Sequence, residues 1–145
     1  MSNKDNRKVK KYTEKENKLN YDNIKSCFEF KLNCEESKKK TLDQLNQFKK
    51  EKKIICGYAA TSKSTTILNY CGINTTVIDF ICDTTKQKIG KYSPGMHIPI
   101  VSASEFQSRS PDIAYLFAWN HKNEILKKET KFLERGGKWF SHVEI

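Results

Sequence analysis

Three short apolar runs constrain this chain more than anything else in it: Ile54-Ile55-Cys56-Gly57-Tyr58, Val77 to Cys82, and Ile113 to Ala118. Each is short for a helix and almost unbroken in its apolar character, the pattern of a strand buried on both faces of a parallel sheet. Helical signals fall between them. Ser62 to Tyr70 begins with hydroxyl residues suited to an N-cap and places Ile67 and Tyr70 on one face. Asn120 has the chemistry of an N-cap for a helix reaching about Arg135, with Glu124 in its first turn and lysines crowding its last turns. Gly136-Gly137 then stops it, and Lys138 to Val143 reads as a closing strand. The 84–99 segment, with Gly90, Pro94, Gly95 and Pro99, reads as loop. A short strand at Ile98 to Val101 and a helical turn or two at Ser104 to Arg109 follow it. Alternating strands and helices predict an α/β fold, a Rossmann-like parallel sheet flanked by helices.

The part before Ile54 is different. Residues 1–53 hold 16 Lys or Arg against 9 Asp or Glu, whereas the rest of the chain holds 11 against 8, so most of the formal charge of +10 lies in a leader. Residues 1–20 offer Tyr12 and Leu19 as their obvious apolar anchors and are expected to be disordered. From about Glu35, the stripe Leu42, Leu45, Phe48 predicts a surface helix ending near Lys53. The expected organisation is a basic leader over 1–34, disordered or partly helical, and an α/β domain over 35–145. The lysines alternate with Glu and Asn, as on a solvated face, and are not gathered with aromatics, so nucleic acid is not an expected partner. No run approaches the roughly 20 apolar residues of a membrane span, and no secretory signal precedes the lysines, so a cytoplasmic protein is expected. Five cysteines without a C-x-x-C pair argue for reduced thiols and against a disulfide framework or cysteine zinc site.

In an open parallel sheet, ligands bind beyond the carboxyl ends of the strands. Those ends here are Gly57 to Ser64, Asp83, and Trp119-Asn120-His121, with a loop carrying Tyr92 and His97 able to close over them. In the first loop, Tyr58 and Ala59 lead to Ser62, Lys63 and Ser64 at a helix start, a combination suited to holding phosphate. The same residues can be read as a tight turn whose hydroxyls only cap the helix. The loop approaches a P-loop, but Ser62 stands where the second glycine belongs, and no second NTPase motif accompanies it. Asp83 follows Gly57 at about the spacing of a ribose-binding carboxylate, or is a turn aspartate. Asp79, inside the second run, is expected to face a helix terminus. His97, His121 and His142 have no metal-ligand spacing, His142 reads as structural, and no catalytic constellation is visible.

Read in order, Gly57-Tyr-Ala-Ala-Thr-Ser-Lys-Ser-Thr-Thr-Ile-Leu-Asn-Tyr-Cys-Gly-Ile73, Gly90-Lys-Tyr-Ser-Pro-Gly-Met-His-Ile-Pro-Ile100, Pro111-Asp, Ala118-Trp-Asn-His-Lys-x-Glu-Ile125 and Gly136-Gly-Lys closely resemble one family. It is the C-terminal domain of the SAM-dependent C-methyltransferases that act on nucleotide-linked deoxysugars, and the resemblance covers about 35–145. It implies a domain that helps hold a nucleotide-sugar while a separate domain or subunit binds SAM and performs the chemistry. It also implies that this chain alone binds no cofactor and, lacking a zinc-type cysteine cluster and a SAM loop, is a stand-alone or split piece. Tyr92, His97, Trp119, Asn120, His121 and Glu124 are carried over as substrate-contact or interdomain positions. A non-catalytic interaction module or gene remnant, and a small independent nucleotide-binding enzyme, are the alternatives.

Overall fold

The computed structural model describes residues 3–143; the first two residues of the expected leader and the last two of the expected domain lie outside them. The chain divides into two compact units, 1–37 and 38–145.

The first unit holds α1 (Asn3–Lys18), which lies in the stretch expected to be disordered, and the beginning of α2 (Ile24–Lys50), which lies in the rest of the leader. Asn20 at φ 52° separates the two helices, and the Asn23 side chain accepts from the Ser26 amide at the start of α2. The weak apolar signal there concealed a helix made of good helix formers, with i,i+4 pairs Lys25–Glu29 and Lys31–Glu35 along it.

The second unit is a five-stranded, all-parallel sheet in the order β3-β2-β1-β4-β5. The strands are β1 (Ile55–Tyr58), β2 (Phe80–Cys82), β3 (Ile100–Val101), β4 (Ile113–Leu116) and β5 (Lys138–Phe140). Side-chain alternation sorts them onto two cores. Ile55, Ile81, Ile113 and Tyr115 face one side, where Leu45 of α2 and Leu68 of α3 (Ser62–Cys71) cover them. Cys56, Tyr58, Cys82, Ala114 and Leu116 face the other. The small residues on that side leave room for Phe106 of α4 (Ala103–Arg109) and Phe132 of α6 (Thr130–Glu134). Tyr58, Phe106, Phe132 and Trp139 meet there at ring separations of 5.0–5.4 Å.

Three expected elements differ in detail. The run from Val77 yields a strand only from Phe80, because the Asn74 side chain accepts from the amide and hydroxyl of Thr76 and the Asn74 carbonyl accepts from Val77 and Ile78. That turn takes up the first residues of the run, although Ile78 stays buried. The closing strand is also shorter than expected, ending at Phe140. The helix expected over 120–135 is a 3-10 turn at Trp119–His121, then α5 (Lys122–Lys128), then α6. Asn120 makes no side-chain cap; the turn closes through His121 N–H to the Ala118 carbonyl. The helix breaks at Glu129, whose backbone sits at φ −100° and ψ 40° and whose carboxylate turns inward, accepting from the Tyr58 hydroxyl at 2.7 Å and from Gln107 Nε2 at 2.7 Å.

The amino-terminal end of the sheet is clamped by carboxylates. Asp112 accepts from the Ile54 amide at 2.8 Å and lies 3.5 Å from Lys53 Nζ. Asp79 accepts from the Ile55 amide at 3.3 Å at the start of β1 and lies 3.9 Å from Nζ of Lys49 in the last turn of α2, so it faces a helix terminus as expected.

Gly57 is required by packing. A Cβ there would lie 2.6 Å from Phe117 Cε2 and 3.0 Å from Ile81 Cγ1. Gly57→Ala is expected to destabilise the fold by about 1–3 kcal/mol in urea unfolding. Adding Phe117→Leu should recover part of that loss; a Gly57→Ala chain as stable as the parent would remove the packing explanation.

Candidate functional site

The order β3-β2-β1-β4-β5 reverses direction beside β1. The connection after β1 leaves onto the face of α3, and the connection after β4 leaves onto the face of α5 and α6. A crevice therefore opens between the two exits, at the carboxyl ends of the strands.

Two adjoining grooves occupy this region. The larger has a volume of about 440 Å³; Tyr58 and Asp83 line its strand side, His121, Glu124 and Lys128 the side of α5. The smaller, about 270 Å³, lies between the first turn of α3 and the 84–99 loop, where Ser64, Lys91, Tyr92 and Pro94 line it. Thr61 and Lys88 belong to both and form the ridge between them.

Asp83 organises that ridge. It is buried, and it accepts from the Ala60 amide at 2.8 Å, the Thr85 amide at 2.7 Å and Lys88 Nζ at 3.2 Å. Lys88 Nζ also donates to the Ala60 carbonyl at 2.7 Å. Burial alone would raise the Asp83 carboxyl, but hydrogen bonds from Thr85, Lys88 and Ala60 outweigh it and hold the group below its ordinary range. Just before this ridge, Ala59 adopts φ 74° while donating its N–H to the Cys82 carbonyl at 2.8 Å. A left-handed backbone is unusual for a residue with a Cβ, and it turns the chain sharply from β1 toward α3.

The residues singled out in the sequence separate into three groups. Tyr58, Ala59, Asp83, His121 and Glu124 line the larger groove, and Ser64 and Tyr92 the smaller. Gly57, Ser62, Lys63, His97, Trp119 and Asn120 line neither. The combination expected to hold phosphate is altered by the cap it forms: Thr61 Oγ1 accepts from the Ser64 amide, and Ser64 Oγ accepts from the Thr61 amide at 2.9 Å. Lys63 Nζ lies 5.5 Å from the centroid of Trp119, whose ring stands edge-on to His142 at 4.8 Å. His97 is exposed at φ 50°, its amide donating to the Ser93 carbonyl. His142 packs as expected of a structural residue: Nδ1 is 3.1 Å from the Tyr115 hydroxyl, and burial lowers its pKa.

Sequence reasoning missed Lys88, Lys128 and Glu129. Lys88 is one lysine among many in the sequence, and Glu129 falls within the helix expected to reach Arg135 with nothing to single it out, yet it is buried. Tyr58, which has burial as the main cause of its raised pKa and the Glu129 carboxylate as the next, is a neutral hydrogen-bond donor. Cys82, pushed up to about 12 chiefly by burial, is a thiol and not a nucleophile. The cysteines are all free, and among the described residues no group of His, Cys, Asp and Glu is placed to hold a metal ion. No helix among them is long and apolar enough to cross a membrane.

The family model for the C-methyltransferase C-terminal domain matches residues 1–143. The chain belongs to that family. The match includes the helices of the first unit, beyond the 35–145 stretch marked by the motifs. C-methyltransferase NovU of Streptomyces niveus is 41% identical over 87 residues, which is 60% of this chain and 21% of that protein. The chain thus spans about a fifth of the curated relative it matches.

Two predictions follow from the site geometry. Glu129→Ala orphans the buried Tyr58 hydroxyl and is expected to cost about 1–3 kcal/mol of stability, read by chemical denaturation. Stability unchanged within error would show that the hydroxyl finds another partner. For Asp83, the folded-state pKa lies below the unfolded value of about 3.9, so its contribution is complete above that pH and disappears as pH falls through the folded value. Asp83→Asn should therefore flatten the acid limb of a pH–stability curve below about pH 4. An unaltered acid limb would assign that limb to other carboxylates.

Proposed function

We propose that this C-methyltransferase C-terminal domain holds the nucleotide-sugar substrate of a C-methylation, with the methyl donor SAM bound and used on a separate catalytic domain or subunit. One observation carries the reading: in a chain of this family, the crevice where a parallel sheet reverses direction is walled by lysines and hydroxyl residues, with the His121 imidazole and the Glu124 carboxylate among them. Lys88 and Lys91 stand by the 84–99 loop, Lys128 and His121 on the opposite side. An anionic diphosphate with a polyhydroxylated group attached matches that lining.

The turn after β1 does not suit SAM in the manner of a glycine-rich loop. Ala59 and Ala60 carry methyl groups where a close backbone approach requires glycine, and the hydroxyl oxygens of Thr61 and Ser64 each accept from the other residue's backbone amide. SAM supplies an electrophilic methyl group wherever it is bound. This chain's own part is to bind and orient the sugar, and no residue is assigned a catalytic role. NovU carries the name C-methyltransferase, and the deoxysugar class of substrate rests on the resemblance of the sequence motifs.

Calorimetric titration of the chain with UDP- and dTDP-hexoses tests the reading. Saturable binding is expected, weakened by Lys91→Ala by about 1.5–3 kcal/mol through loss of an ammonium–phosphate contact. No heat and no thermal shift with any nucleotide-sugar would refute it.

A further inference from the structure

The two grooves meet along Thr61 and Lys88, yet they differ in which polar groups are still available. In the smaller groove most are already used. Ser64 Oγ is part of the α3 cap, Ser93 Oγ accepts from the Ile98 amide at 3.0 Å, and Thr65 Oγ1 donates to the Thr61 carbonyl at 3.3 Å. What this groove offers a ligand is the ring of Tyr92, 64% exposed, the apolar surfaces of Pro94 and Ile100, and the ammonium of Lys91, which has no ion-pair partner among the described residues. A flat ring with an anion attached satisfies that surface, because stacking on an aromatic needs no hydrogen-bond readout.

The larger groove has the opposite character. Among the described residues, the side chains of His121, Glu124 and Lys128 make no hydrogen bond or ion pair, and all three are exposed along its wall. A carboxylate that accepts, an ammonium that donates and an imidazole that does both suit a group dense in hydroxyls. Between them, the Lys88 ammonium has three donors, of which the Ala60 carbonyl and Asp83 occupy two.

Resting on the reading given under Proposed function, we infer that the ligand is divided across this ridge: the nucleoside base lies in the smaller groove against Tyr92, the diphosphate crosses at Thr61 and Lys88 with Lys91 beside it, and the hexose lies in the larger groove against His121 and Glu124. This makes Tyr92 and Glu124 recognition residues for opposite ends of one molecule. The methyl-accepting sugar then lies on the α5 side of the crevice, the side from which a catalytic partner must reach it.

The test is a matrix of ligand halves and variants on the full chain, with dTMP, UMP, glucose 1-phosphate and UDP-glucose titrated against the parent, Tyr92→Ala and Glu124→Gln. Both side chains are exposed, and a thermal melt establishes that each variant is folded. Tyr92→Ala should weaken dTMP, UMP and UDP-glucose by about tenfold and leave glucose 1-phosphate unchanged. Glu124→Gln should do the reverse, weakening glucose 1-phosphate and UDP-glucose with the monophosphates unchanged. Nucleotide-sugar binding that is indifferent to Tyr92→Ala, or weakening of both halves by one variant, overturns the division while leaving the broader reading in place. Failure of UDP-glucose and of both halves to bind the parent chain overturns the two together.

Discussion

Everything at the carboxyl end of this sheet depends on the strand order reversing beside β1. The chain leaves β1 toward one face and β4 toward the other, so neither connection can fill the space between their exits. The crevice is thus a consequence of connectivity, and the residues around it decide only its chemistry. The reversal also requires tight packing at the strand that carries it. Gly57 leaves the volume that Phe117 occupies, and the left-handed Ala59 turns the chain immediately after. A side chain at Gly57 would press on the same strand that supports the turn into α3.

The two ends of the sheet use carboxylates in contrasting ways. At the amino-terminal end, Asp79 and Asp112 receive the amides of neighbouring strand starts and pair with surface lysines, which fixes the strands and leaves an unremarkable surface. At the carboxyl end, Asp83 gathers two amides and Lys88 into a rigid ridge, so its charge is already satisfied. A buried, saturated carboxylate beside the proposed anion site is tolerable only because a cation accompanies it. Lys88 therefore has a structural duty before any binding duty, which distinguishes it from Lys91 and Lys128.

The legibility of the fold followed from how local its causes are. Ile55–Tyr58 and Ile113–Leu116 are readable because burial on both faces demands apolar residues at every position, a signal contained in the run itself. The first helices were hidden because α1 and the start of α2 bury almost nothing, so no stripe announces them. The break at Glu129 was unreadable for a different reason. The Glu129 carboxylate turns to the Tyr58 hydroxyl, 71 residues away in sequence, and nothing near Glu129 records that partner. The same applies to the site. Asp83, His121 and Glu124 could be placed because each follows a strand end, whereas Lys88 matters through the Ala60 carbonyl 28 residues earlier.

Capping explains why the most suggestive motif proved the least direct. A hydroxyl-rich start to α3 can satisfy its own amides or wait for a ligand's oxygens, and the same atoms cannot do both. Here Thr61 and Ser64 satisfy each other, and Lys63 sits over Trp119. The helix is stabilised by this arrangement and the sheet-end turn is made rigid, while the groups left available move outward to Lys91, Tyr92, His121, Glu124 and Lys128. In the proposed reading, specificity is carried by side chains that the fold does not need. They can therefore change with the ligand while the capped turn beneath them stays the same.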